Sequence, residues 1–160
     1  MKKENKYLYY DLSNIIDPKI ICNEIMTNKD ILTPDLLKGQ WKNRVNEIHT
    51  TGHCYAAAEA LYYLCGHSNV YNPRVCKEDN GDTHWFIQNK FTNEILDPTK
   101  TQYTELGEDP PYHIARGTGF MQQSGRCVEI MKRTLKAFDL SPNLLQELQK
   151  ENKRNRKRKI

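Results

Sequence analysis

An α+β fold is what this sequence predicts, on three observations. Residues 54–65 form an apolar, alanine-rich run of helical composition, and residues 83–88 and 94–98 read as two strands joined by a short polar connection. A last amphipathic segment spans about 126–149. At 160 residues the chain suits one domain, long enough to bury roughly 70 % of the surface its unfolded form exposes. We read residues 1–149 as that domain and residues 150–160 as a basic, disordered tail.

Residues 1–12 are polar and rich in tyrosine, which fits an irregular arm or a short strand. In 17–38, Pro18 precedes Ile20, Ile21, Ile25 and Met26, and Pro34 precedes Leu36 and Leu37. That pattern predicts two short helices broken near Thr33-Pro34, with Thr33 as cap, Pro34 at the first helical position and Gly39 ending the second. The run 54–65 is the clearest helix. Ala56, Ala57, Ala58, Ala60, Leu61 and Leu64 leave only Glu59 and the tyrosines with polar atoms, so this helix is central, and Gly66 terminates it. A loop through Asn69, Asn72-Pro73 and Asp79-Asn80-Gly81-Asp82 follows. The stretch 107–125 holds Gly107, Pro110, Pro111, Gly117, Gly119 and Gly125 and reads as a long irregular surface segment, a kind that is often functional. Within it, Arg116-Gly117-Thr118-Gly119-Phe120 fits a flexible lid, an anion contact or a simple turn. Ser141-Pro142 breaks the final helix.

The two strands carry a test of their own. Opposing residues of an antiparallel hairpin have numbers with a constant sum and share a face; a one-residue slip moves a side chain to the other face. For His84 and Asp97 that sum is odd, which requires a connection with an even number of residues. A loop of two (Phe91-Thr92) or four (Lys90 to Asn93) puts both side chains on one face, directly opposite or one diagonal apart.

Those two residues matter because of Cys54. Thr51-Gly52-His53-Cys54-Tyr55 leads straight into the alanine-rich helix, so the thiol stands in the first turn, where free backbone N–H groups and the helix dipole favour negative charge. Thiolates are the nucleophilic form, and helix N-termini promote them. His84 follows thirty residues later and Asp97 thirteen after that, giving nucleophile, base and orienting carboxylate in order. Gln40 and Trp41 upstream, with His53 and Trp85 beside the nucleophile and base, are candidates for oxyanion or substrate contacts.

The five cysteines (Cys22, Cys54, Cys65, Cys76, Cys127) are odd in number and include no CxxC pair, which points to a reducing compartment and not to a disulfide scaffold. No run of 18 apolar residues exists and no signal core follows the charged N-terminus, so a cytoplasmic protein without a membrane span is expected. The net charge of +4 is concentrated: residues 150–160 hold seven basic residues and one acidic, leaving 17 basic and 19 acidic in the rest. Such a tail suits weak nucleic-acid contact by counterion release, or simply solubilises a frayed end.

Helix-borne cysteine, strand histidine and aspartate on the next strand is the ordering of the papain-like and transglutaminase-like superfamily of cysteine hydrolases, which this chain resembles. More narrowly, GHCYAAAEALYYL, THWFI, EILDPTKTQY and PPYHIARGTGF are similar to segments of a group of small phage and bacterial proteins. The resemblance covers roughly residues 40–125. It implies a papain-like or transglutaminase-like core with the cysteine-bearing helix packed on a small antiparallel sheet and the triad at their junction. By matching position, Cys54 is the nucleophile, His84 the base and Asp97 the orienting acid. A cysteine hydrolase or acyltransferase follows, with no cofactor and with a protein, peptide or small-molecule acyl substrate in the cytoplasm (the host's, for a phage-encoded chain). The chain departs from the papain pattern in one place: His49 and Thr50 stand where a glutamine usually precedes the cysteine.

Two other readings compete. His49, His53, Cys54, Cys65, His67, Cys76 and His84 lie within 36 residues, and a zinc site needs four such ligands, although no spacing matches a zinc-finger or knuckle template. Alternatively, a catalytically inactive fold of this kind could bind nucleic acid or a partner through its tail and tyrosines.

Overall fold

The computed structural model describes residues 11–39, 48–120 and 123–141. Asp17 opens the first helix, α1 (Pro18–Thr27). Its carboxylate accepts the Lys19 N–H at 2.8 Å, and Pro18 sits in the first turn, where no N–H is needed. The second helix expected in this region shrinks to a single 3₁₀ turn, Pro34–Leu36. Thr33 occupies the cap position, but its side chain caps no backbone N–H. Its hydroxyl donates to Asp35 and accepts from Arg133 Nη1, so it cannot hold a longer helix open.

Gly52, at φ +85°, turns the chain into α2 (Cys54–Leu64). Ala56, Ala57, Ala58 and Ala60 are all buried, and their small side chains let this helix sit close against its neighbours. Gly66 ends the helix region in the left-handed conformation at φ +95°, where a Cβ would also meet Val70 at 3.3 Å.

The next segment corrects the sequence reading. Residues expected to form a loop are a strand, β1 (Tyr71–Lys77), which pairs along its whole length with β2 (Thr83–Asn89), from Tyr71↔Asn89 to Lys77↔Thr83. Asn72-Pro73 is turn chemistry locally, but seven residues of tertiary pairing override it. The turn itself lies after β1, closed by Glu78 N–H donating to Asp82 O at 2.9 Å.

β3 (Ile95–Leu96) pairs with β2 through Ile87↔Leu96 and Gln88↔Ile95. Asn89 N–H also donates to Glu94 O, leaving Lys90 to Asn93 as a four-residue connection. The Asn89 side chain braces it by accepting the Phe91 and Thr92 N–H groups. This even-numbered loop puts Asp97 one diagonal from His84 on the same face of the sheet.

After a short helix, α3 (Thr101–Thr104), the irregular segment contributes a two-residue strand, β4 (Arg116–Gly117). It lies along β1, with Arg74↔Gly117 and Val75↔Arg116, so this glycine-containing stretch is an edge strand at its start and not a free lid. The sheet order is β3-β2-β1-β4, antiparallel throughout. α4 (Gly125–Ala137) begins at Ser124, whose hydroxyl accepts the Cys127 N–H at 3.1 Å. It ends earlier than the sequence suggests, with Asp139 at φ +56° ahead of Ser141. The N-terminal arm up to residue 10, the end of the expected helix (142–149) and the basic tail all lie outside the described residues.

The architecture is therefore mixed α and β. α2 packs against both α4 and β2, and the core joins Leu61, Leu64 and Ala57 to Ile87, Leu96, Ile130 and Met131. Each fully buried Leu or Ile contributes about 1.5–3 kcal/mol. Leu12 is fully buried too, and its N–H bonds Leu64 O at 2.8 Å, tying the chain before α1 to the end of α2. Among the described residues, no helix is long and apolar enough to cross a membrane.

Candidate active site

The carboxylate of Asp97 anchors the site. Its backbone leaves β3 at the edge of the sheet, and the Asp97-Pro98-Thr99 turn folds back so that Thr99 N–H and Oγ1 donate to Oδ1 at 3.1 and 3.5 Å. Oδ2 takes two more donors, His84 Nε2 at 2.6 Å and the Tyr112 hydroxyl at 2.8 Å. Asp97 is 4 % exposed and His84 fully buried, so this is a dry pair whose geometry is set by four donors around one carboxylate.

Burial alone would lower the basicity of His84. The hydrogen bonds to Asp97 and Cys54, with the charges of both, more than offset it and push its pKa up to about 9. Tyr103 supports the ring from the side, edge-on at 4.9 Å between centroids, and its own hydroxyl donates to Glu78. Because Nε2 donates to Asp97, Nδ1 is the nitrogen left to work with the thiol.

Cys54 is the first residue of α2 and is partly exposed; its Sγ also lies 3.5 Å from Thr83 O, at the start of the strand that carries His84. The other four cysteines are buried. Burial, reinforced by the Asp97 charge, raises Cys22 to about 12 and Cys76 to about 11, and burial raises Cys65 and Cys127 as well. The structure thus brings Cys54, His84 and Asp97 together and sets one accessible thiol apart from four inert ones.

The remaining candidates fare differently. His53 adjoins Cys54 in sequence, yet it is 1 % exposed and bonds no N–H of the helix it precedes. Burial, then the positive charges of Arg126 and His49, push its pKa down to about 4, so it is a neutral core residue facing α4 and not a group lining an open cleft. Trp85 points to the opposite face of β2 from His84. It joins Tyr55, Tyr62 and Phe120 in an aromatic cluster, with Trp85–Tyr55 centroids 4.7 Å apart and Trp85–Phe120 5.8 Å apart. That cluster flanks the thiol through Tyr55, the residue after Cys54. Gln40 and Trp41 lie outside the described residues.

Sequence reasoning missed the residues that brace the pair, Thr99, Tyr103 and Tyr112, and one that touches the base directly. Gln102 Nε2 stands 2.6 Å from His84 Nδ1. No periodicity marks it; the signal is its place at the end of the EILDPTKTQY segment, five residues beyond Asp97, on a turn that folds back toward the strand.

Comparison of the chain with protein-family models, with curated proteins and with solved structures gives no match. Geometry alone therefore bears on function. Among the described residues, no group of three or more His, Cys, Asp or Glu side chains is placed to hold a metal ion. Of the histidines and cysteines that crowd the sequence, His49 Nε2 bonds Met26 O at 2.8 Å, and Cys65 is fully buried.

Proposed function

We propose that the chain is a cysteine-dependent hydrolase or acyltransferase with a papain-like or transglutaminase-like core, acting on an amide, isopeptide or thioester bond through a Cys54 acyl-enzyme. The observation that carries this reading is the buried 2.6 Å His84–Asp97 pair beside the single partly exposed cysteine of the five. His84 takes the thiol proton at Nδ1, and the Cys54 sulfur attacks the substrate carbonyl carbon. As the tetrahedral intermediate collapses, the imidazolium returns the proton to the departing amine or thiol, leaving a thioester on Cys54. Water or an acceptor amine, deprotonated by the same nitrogen, then releases the acyl group. Asp97 holds the tautomer that makes Nδ1 the working nitrogen and stabilises the imidazolium. Five free thiols suit the reducing cytoplasm proposed for it, the host's if the chain is phage-encoded.

The experiment is alkylation read cysteine by cysteine by mass spectrometry across pH, with and without a zinc chelator. We expect Cys54 alone to react at pH 6, and His84→Ala to remove that reactivity while the fold persists. A Cys54 that becomes reactive only on chelation belongs to a metal site. A Cys54 no faster than an ordinary exposed thiol, with or without chelator, removes the catalytic reading.

A further inference from the structure

Three groups converge on the ring of His84. With Nε2 taken by Asp97, Nδ1 is left for the thiol, and the Gln102 amide nitrogen stands 2.6 Å from it. Gln102 is not a surface side chain that happens to fold inward. Thr101, the residue before it, shares a 2.7 Å hydrogen bond with the hydroxyl of Thr50, which is fully buried and stands four residues before Cys54. The loop that delivers the nucleophile and the short helix that delivers the amide are therefore fastened to each other.

We propose that Gln102 is the side-chain oxyanion donor of this site, acting with the backbone N–H of Cys54. An amide nitrogen carries two hydrogens. While Nδ1 is unprotonated one of them is directed to it; once Nδ1 takes the thiol proton that bond is released, and the amide turns its hydrogens to the oxygen of an acyl carbon bonded to Sγ. When the Cys54 sulfur attacks, the carbonyl π pair moves onto that oxygen, and the Gln102 and Cys54 N–H groups hold the charge. The pair then returns to the carbon, the bond to the leaving group breaks, and that group departs with the proton from His84. Nδ1 is now bare and accepts the Gln102 hydrogen again, the 2.6 Å contact of the unprotonated ring, which returns the amide to its place in the acyl-enzyme.

Gln102 has this role only if Cys54 accepts an acyl group, the reading above, and two reactions separate the ideas. Acylation by p-nitrophenyl acetate passes through a tetrahedral oxyanion; alkylation by iodoacetamide displaces iodide at a saturated carbon and forms none. The pre-steady-state release of p-nitrophenolate and the alkylation rate of Cys54 are measured in the wild type, Gln102→Ala and Gln102→Met. Both variants are expected to lose about 10²–10³-fold in acylation with alkylation little changed. Gln102→Met keeps the length of the side chain and adds no charge beside His84 but offers no amide hydrogen, so that variant gives the answer even where the alanine variant unfolds. Equal losses in the two reactions would mark Gln102 as support for His84 only, and unchanged acylation would give it no part; either outcome overturns the proposal. A p-nitrophenolate burst that survives Cys54→Ala overturns the acyl-enzyme itself.

Discussion

His84 and His53 are both buried, yet their surroundings drive them to opposite charge states. His84 faces Asp97 and Cys54 and is pushed up to about 9; His53 faces Arg126 and His49 in a desolvated position and is pushed down to about 4. The consequences for stability have opposite signs around the ordinary histidine value of 6.5. The stabilisation from charged His84 is complete below pH 6.5 and is lost as pH rises through 9, a change on the order of 3 kcal/mol. His53 stays neutral in the fold, so stability is lost as pH falls from 6.5 toward 4, where the unfolded chain takes up a proton the native one refuses. Glu59, whose buried carboxyl is raised above its ordinary value, works against that acid-side loss. Each slope is therefore read by difference. Urea unfolding from pH 4 to 9.5 is expected to show the alkaline decline in the wild type and not in Asp97→Asn, and a shallower acid decline in His53→Gln. An alkaline slope that persists in Asp97→Asn would mean that the His84–Asp97 pair does not set it.

At the scale of the elements, the hairpin connection decides whether a site exists. Lys90 to Asn93 is even in number, and that parity keeps Asp97 on the face of His84. One glycine inserted between Phe91 and Thr92 is expected to abolish Cys54 alkylation at pH 6 with little change in far-ultraviolet circular dichroism. Two glycines restore the parity and are expected to keep a large part of the reactivity; equal loss in both would show that register does not join the pair. Much of this was legible in the sequence. The alanine run gave α2, the Cys54–His84–Asp97 order gave the pairing, and parity gave the condition for a shared face; the strand bounds read from the sequence left five residues between the strands, where pairing of Asn89 leaves four. β1 was not legible, because Asn72-Pro73 favours a turn locally and only its partner β2 makes it a strand. Nor was Gln102, which acquires meaning from a fold-back that no periodicity records. His53 misled for a related reason: adjacency along the chain says little about direction at a helix start, where consecutive residues diverge.

For the whole molecule, the site is divided between two kinds of contact. The acid, the base and the amide all fall within residues 84–102, one hairpin and the turn after it, held by near-neighbour pairing. The thiol belongs to α2, which gains its place chiefly by docking against β2 and the distant α4. Near-neighbour contacts close with little loss of chain entropy, and distant ones close late. On the proposed reading, the base half assembles first and the nucleophile arrives with the last packing step. Quenched-flow refolding is expected to show amide protection in β2 before Cys54 becomes reactive at pH 6; simultaneous appearance would refute that order. A nascent or damaged chain then carries a base with no nucleophile beside it, and the chemistry switches on only in molecules whose core has closed.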